Sequence, residues 1–197
     1  MANINIEVKR KIFHLLFGIL LVILLIFEII EILHLFILLL ITIIASLLSK
    51  KTKLLGVYWL MRHFEREEHI KKFPAKGVIS YLIGVLLVLF LFPRDIALAA
   101  ILVLAFADSI GHLFGIQFGK IPHPFVSTKF VEGWIVGLIA GFIGALFLVP
   151  WHEALAASFF AMLVEGIEIK LGAEEVDDNL LIPLVAASAI WVVRYFF

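Results

Sequence analysis

The sequence predicts an all-α, polytopic integral membrane bundle of about seven transmembrane helices plus one cytoplasmic interfacial helix, on three observations. Of 197 residues, 63% are hydrophobic and 16% charged, with a mean hydropathy of +1.15. A soluble domain is about half apolar and a quarter charged. Apolar runs approaching the roughly 20 residues that cross a bilayer recur along the chain between short polar breaks. Basic residues, finally, fall almost entirely on alternate connections. The chain reads as a single transmembrane domain, 1–197, whose chemistry must come from the bundle and its loops. Sixteen Lys+Arg balance sixteen Asp+Glu, so the global basic field of a nucleic-acid binder is missing. The absence of cysteine excludes a disulfide framework, a thiolate metal site and a Cys nucleophile.

Taken in order, the first run covers residues 12–30 and the second 32–48, with Glu28 and Glu31 marking the turn between them. The third, 78–92, ends at Pro93, whose fixed φ and missing N–H interrupt a helix. The fourth spans 96–113. After a Gly- and Pro-containing loop, the fifth spans 134–149 and ends at Pro150. The sixth covers 154–169, and the seventh runs from 180 or 182 to the C-terminus. Because the third and sixth are short, six or eight spans stay open. No small-residue cleavage site ends the first run, so it is not read as a signal peptide.

Residues 54–73 differ. Arg62, Glu65, Arg66, Glu67, Glu68, Lys71 and Lys72 interrupt them, while Leu54, Val57, Tyr58, Met61 and Phe64 recur at helical spacing. That pattern suits an amphipathic helix lying in the membrane interface. With the N-terminus inside, fourteen Lys and Arg fall on the cytoplasmic side and two, Arg94 and Arg194, on the other. The excess of basic residues on cytoplasmic loops then makes the N-terminus cytoplasmic and the C-terminus external.

Polar material is concentrated in three cytoplasmic pieces: the edge from Glu7 to His14, the loop 111–133 and the loop 165–179. Polar groups at membrane depth are costly and point to function. Asp108, at the end of an apolar helix, needs a basic side chain or a metal. Gly111, Gly115 and Gly119 follow it four apart, and then come Lys120, Ser127, Thr128, Lys129, Glu132 and Gly133. Glycines let backbone N–H groups approach an anion, lysines neutralise phosphate, and acids such as Asp108 and Glu132 hold Mg²⁺. These are the parts of a nucleotide-phosphate site. The glycine spacing equally suits close helix packing, the favoured reading for Gly133, Gly137 and Gly141. In the third piece Glu165 lies within the sixth run, and Asp178-Asn179 stand where a helix N-cap belongs. His112 shares a helix face with Asp108 and is expected to orient its carboxylate.

In combination, Arg10-Lys11-x-x-His14-x-x-x-Gly18, the Asp108 stretch leading to Gly115-x-x-x-Gly119-Lys120, Lys129-x-x-Glu132-Gly133, and Glu165…Asp178-Asn179-x-x-x-Pro183 resemble one family. It is the CTP-dependent lipid-alcohol kinases, which include dolichol kinase, phytol kinase and CTP-using diacylglycerol kinase. A more distant similarity links them to the CTP:phosphatidate cytidylyltransferases. The resemblance implies transfer of the γ-phosphate of CTP to a long isoprenoid or glycerolipid alcohol, polyprenol- or dolichol-like first, with Mg²⁺. It implies Asp108 as a Mg²⁺ ligand, with Glu132 or Glu165 as a second ligand or base. Arg10, Lys11, Lys120 and Lys129 would contact phosphates, Asp178 and Asn179 would orient nucleotide or metal, and His14 would carry a proton. Two positions depart from the family: Ala107 where Gly often precedes the Asp, and Phe130 where Ser or Thr often follows the motif lysine. The alternatives are a cytidylyltransferase acting on a lipid phosphate and, from another class, a small transporter or scaffold. The glycine-rich fifth helix could also serve a homo-oligomer.

Overall fold

The computed structural model describes residues 4–49, 73–126, 128–167, 169–171 and 174–196. The interfacial helix expected at 54–73 lies outside them, except for Phe73. Among the described residues there are seven helices: α1 (Ile4–Ile26), α2 (Ile32–Ser49), α3 (Lys76–Leu91), α4 (Arg94–Phe118), α5 (Val131–Leu146), α6 (Trp151–Glu165) and α7 (Asp178–Phe196). A two-residue hairpin, β1 (Lys170–Leu171) with β2 (Glu174–Glu175), pairs antiparallel between α6 and α7. Three of the helices, α2, α4 and α7, are long and apolar enough to cross a membrane by length and composition, and α3 and α5 are shorter apolar helices.

The ends follow local chemistry. Pro93 and Pro150 stand immediately before α4 and α6 as their N-caps, where a residue without an N–H costs least. Glu28 turns the chain between α1 and α2 in the left-handed region, with φ 57. Helix α1 begins well before the expected residue 12, so Arg10, Lys11 and His14 stand inside a helix. The expected loop 111–133 is likewise helical as far as Phe118, and again from Val131.

Helix α4 is the axis of the bundle. From Ile96 to Ala105 every residue is buried, as a helix apolar on all sides must be. It packs against α1, α3, α5, α6 and α7, while α2 packs on the outside of α3. Its α-helical ladder widens to a π turn over Leu104–Asp108, a feature frequent at functional sites. Outward faces stay apolar: on α5, Ile135, Ile139 and Ile143 are all about half exposed.

Glycines set the α4–α5 distance. A Cβ on Gly111 would lie 2.8 Å from the Gly133 carbonyl oxygen, and one on Gly133 would lie 2.7 Å from that of Gly111. Gly137 lies against the Met162 side chain and the Ala107 carbonyl, and Gly141 against Ser158 Oγ and the Ala107 methyl. This face of α5 is occupied by contacts inside the chain. A second close approach joins α3 to α7. Pro183 has no N–H for the Asn179 carbonyl, and that oxygen lies where a Cβ on Gly84 would overlap it.

At the end of the bundle away from Asp108, Arg194 of α7 donates to Glu153 of α6 (3.0 and 2.6 Å) and to Asp95 of α4 (2.6 Å). Glu153 is buried, and a charged group there without a partner is expensive. Arg194→Ala is expected to lower unfolding stability by about 1–3 kcal/mol, read as Tm in detergent. Gly133→Ala, which pushes α4 and α5 apart, is expected to cost about as much through overpacking.

Candidate active site

The polar side chains of the buried end converge from five elements. Helix α1 presents Glu7, Arg10, Lys11 and His14 at helical spacing on the side facing α4. Lys11 Nζ donates to both carboxylate oxygens of Asp108 at 2.6 Å, and His14 Nε2 lies 3.7 Å from Asp108 Oδ2. Lys11 and Asp108 are both buried. The motif's basic residue is thus the countercharge its acid requires.

Facing this pair is a second one. Lys129, at the end of the loop between α4 and α5, donates to Glu165 Oε1 (2.6 Å), to the Glu165 backbone carbonyl (2.7 Å) and to Asp178 Oδ2 (3.1 Å). It thereby joins the C-terminal end of α6 to the first residue of α7. The loop holds the lysine through its own backbone: His123 N–H donates to the Lys129 carbonyl, Val131 N–H to that of Ile121, and Lys129 N–H to that of Val126. Burial pushes the Lys129 amine down, but the carboxylates of Glu165 and Asp178 outweigh it and its pKa is raised. The amine therefore stays charged at neutral pH. Its contribution to stability is complete below the ordinary value of 10.5 and lost only as pH rises through the higher folded value. Burial and the neighbouring Lys129 hold His123 below the usual imidazole range.

Asp108, Glu165 and Asp178 each offer a carboxylate oxygen, and the three oxygens lie within 4.8 Å of one another. Three carboxylates against the two ammonium groups of Lys11 and Lys129 leave a local excess of negative charge. Such an oxygen-only set suits a hard divalent cation. A small cleft opens beside it, lined by His112, Ile116, Thr128, Lys129, Phe130 and Trp134 among others.

Other candidates stand elsewhere. The Glu132 carboxylate accepts from the backbone N–H groups of Lys120 and Ile121 (3.1–3.2 Å); it staples the loop, and Asp178 takes its expected place beside Asp108 and Glu165. The Lys120 side chain is exposed. Gly115 and Gly133 pack at the α4–α5 crossing, and Gly119 lies under the Phe130 ring, so helix and ring contacts account for the spacing that also suggested a phosphate cradle. Asn179 donates to Ser80 Oγ (3.0 Å) and the Gly77 carbonyl (3.3 Å), tying α7 to α3. The N-cap of α7 is Asp177, which accepts from Asn179 N–H at 3.0 Å. His112 faces Glu7 (Nε2 to Oε2, 3.4 Å), not Asp108, and Glu7 also accepts from Arg10 at 2.7 Å. Ser127 lies outside the described residues.

Sequence reasoning missed two residues. Glu7, buried between Arg10 and His112, is distinguished locally only by being the acid of a basic segment. Tyr81 is buried in an apolar run with its ring edge-on to His14, the centroids 4.6 Å apart. No local signal marks it.

The geometry makes a test between acids. With Mn²⁺ titrated into the purified full chain and followed by electron paramagnetic resonance, Asp178→Asn is expected to weaken binding about tenfold or more, as loss of one of three ligands should. Glu132→Gln, which disturbs only the loop staple, is expected to leave it within about twofold.

Compared with known proteins, the chain is 27% identical over 135 residues to CTP-dependent diacylglycerol kinase 1 of Schizosaccharomyces pombe, an alignment covering 59% of this chain and 60% of that one. It is 33% identical over 122 residues to the uncharacterised protein MJ1137 of Methanocaldococcus jannaschii, covering 61% and 60%. The chain thus spans about 60% of the length of each relative. No family model and no solved structure matches it.

Proposed function

We propose that this protein is a membrane kinase that transfers the γ-phosphate of CTP to the hydroxyl of a lipid alcohol. Its acceptor is a polyprenol- or dolichol-like alcohol, with diacylglycerol as the glycerolipid counterpart, and the reaction takes place at the cytoplasmic face of a seven-span bundle. The observation that carries this reading is the carboxylate trio Asp108, Glu165 and Asp178 within 4.8 Å, flanked by Lys11 and Lys129 where apolar helices end. The similarity to a relative named as a CTP-dependent diacylglycerol kinase supports both donor and acceptor class. The placement of Lys and Arg in the sequence supports the orientation.

The oxygen-only donor set fits Mg²⁺. Asp108, Glu165 and Asp178 would hold it, and it would supply charge neutralisation on the donor's phosphates. The chain's own groups do the rest. Lys129 is held by its loop within reach of an anion in the cleft, and the Arg10 guanidinium adds positive charge beside Lys11. Trp134 and Phe130 give the cleft an apolar wall for the nucleoside. Transfer forms a bond from the acceptor oxygen to the γ-phosphorus and breaks the bond from that phosphorus to the bridging oxygen, so CDP leaves with the electron pair. The hydroxyl proton passes to His14 Nε2, which has no hydrogen-bond partner among the described residues. Phosphoryl transfer of this kind depends chiefly on positioning and electrostatics, and a buried, rigidly paired cluster supplies both.

The test is turnover by the purified full chain in liposomes with Mg²⁺ and CTP, offered a polyprenol, a diacylglycerol and a lipid phosphate separately, with products weighed by mass spectrometry. CDP plus a phosphorylated alcohol is expected, and Asp108→Asn is expected to lower the rate by on the order of 100- to 1000-fold. Pyrophosphate plus a CDP-lipid from the lipid phosphate would make the protein a cytidylyltransferase instead.

A further inference from the structure

Among the described residues several buried polar atoms have no hydrogen-bond partner, Ser109 Oγ and Arg10 Nε included, and two of them lie near Asp108 on facing rings, Tyr81 Oη and His14 Nε2. They belong to neighbouring rings in an edge-to-face contact. A buried hydroxyl without a partner is destabilising, since its hydration is lost and nothing replaces it. Phenylalanine would fill the same space at less cost, so the hydroxyl of Tyr81 calls for a use.

Its position narrows that use. A Cβ on Gly18 would lie 2.6 Å from Tyr81 Oη and would also touch the Ala105 side chain. The phenol oxygen therefore sits at the level of Gly18 and Ala105. Gly18 is one turn beyond His14 on α1, and Ala105 lies about one turn from Asp108 on α4, toward the middle of the bundle. Lys129, Glu165 and Asp178 approach Asp108 from helix ends and a loop. The acid thus has a nucleotide side, rich in charge, and an inner side toward which the Tyr81 phenol and the His14 imidazole lie. A row of packed rings joins that inner side to the outer face of the bundle: Phe13, 40% exposed, stacks on Phe17 at 5.6 Å, and Phe17 packs on Tyr81 at 5.6 Å.

We infer that Tyr81 and His14 form the subsite that grips the hydroxyl of the lipid acceptor, with Tyr81 the residue that recognises it as an alcohol. The inference rests on the kinase reading above and adds the acceptor's position and a residue that reads it. An alcohol oxygen has one hydrogen and two lone pairs. Its O–H donates to His14 Nε2, one lone pair accepts from the Tyr81 hydroxyl, and the second stays directed at the phosphorus. Both orphaned atoms are then satisfied by one ligand group. The hydrocarbon chain lies along Phe17 and Phe13 toward the lipid. Charge adds specificity: Lys11 is already committed to both oxygens of Asp108, so an anionic acceptor here would meet that carboxylate with no cation of its own. A neutral hydroxyl meets no such repulsion.

The test uses the full chain in liposomes with Mg²⁺ and CTP, comparing wild type with Tyr81→Phe, which removes one oxygen and preserves the ring. Acceptor alcohol and CTP are varied separately, and Tm is measured. The expected result is a tenfold or greater fall in kcat/KM for the alcohol, a CTP KM within twofold of wild type, and a Tm equal to or above it. Unchanged acceptor kinetics in Tyr81→Phe would overturn the subsite and leave the kinase reading standing. A fall matched by an equal rise in CTP KM, or by a lower Tm, would also overturn it by assigning Tyr81 a general structural role. If wild type phosphorylates no alcohol, the kinase reading fails and the subsite falls with it.

Discussion

A carboxylate inside an apolar bundle is unstable unless a cation accompanies it, and the contact between Lys11 and Asp108 meets that condition with two 2.6 Å hydrogen bonds. Much else follows from this pair. It fixes α1 against α4, and with α1 come Glu7, Arg10 and His14 in their order along one face. A second group, Lys129 with Glu165 and Asp178, meets Asp108 with a lysine of its own, the three carboxylates each placing an oxygen within 4.8 Å of the others. Removing either member of the central pair would leave a buried charge alone, which is why the two helices cannot be considered separately.

The bundle's two ends are built on the same principle for different purposes. At the Arg194 end, one guanidinium holds α4, α6 and α7 through Asp95 and Glu153, and Arg94 of α4 reaches Glu28 and the Leu25 carbonyl at the end of α1. There each arginine is held by carboxylates and brings helix termini together. At the Asp108 end the acids outnumber the lysines that touch them. Close glycine packing between α4 and α5 keeps this excess in place, because helices that approach backbone to backbone leave little freedom for the loop joining them. That loop, closed by Glu132 and by the pairing of Pro122 with Phe130, carries Lys129.

Much of the helical architecture was legible in the sequence because apolar length and proline placement are local signals. Pro93 and Pro150 mark breaks between runs, where the structure makes them the N-caps of α4 and α6, and Glu28 and Glu31 mark a turn. The start of α1 was not legible, since Glu7, Arg10 and Lys11 read as an aqueous edge until Asp108 supplies a reason to bury them. The site divides in the same way. Asp108, Lys129, Glu165 and Asp178 stand out as charges in or beside apolar runs, and they lie together. Glu132 is equally conspicuous, but its partners are backbone N–H groups twelve and eleven residues earlier, a pairing that spacing does not reveal. Gly115 and Gly133 illustrate a further limit: a glycine near a lysine can serve an anion or a neighbouring helix, and only the opposing backbone decides. Tyr81 had no signal at all, because a tyrosine in an apolar helix becomes informative only when its hydroxyl is seen to lack a partner.

The π turn at Leu104–Asp108 gives α4 two separate phases. Each residue of an α-helix advances about 100° around its axis, so the extra residue held in that turn offsets everything after it from the register of Arg94–Val103. The first half of α4 is thereby free to match the apolar interior, while the second half aims Gly111 and Gly115 at α5. A deletion of one residue within Leu104–Asp108 would keep the composition, the length class and almost every apolar contact of the first half, yet rotate the glycine face by about a quarter turn. The bundle and its site are thus indexed independently on one continuous helix, and the sequence between them can drift in one half without resetting the other.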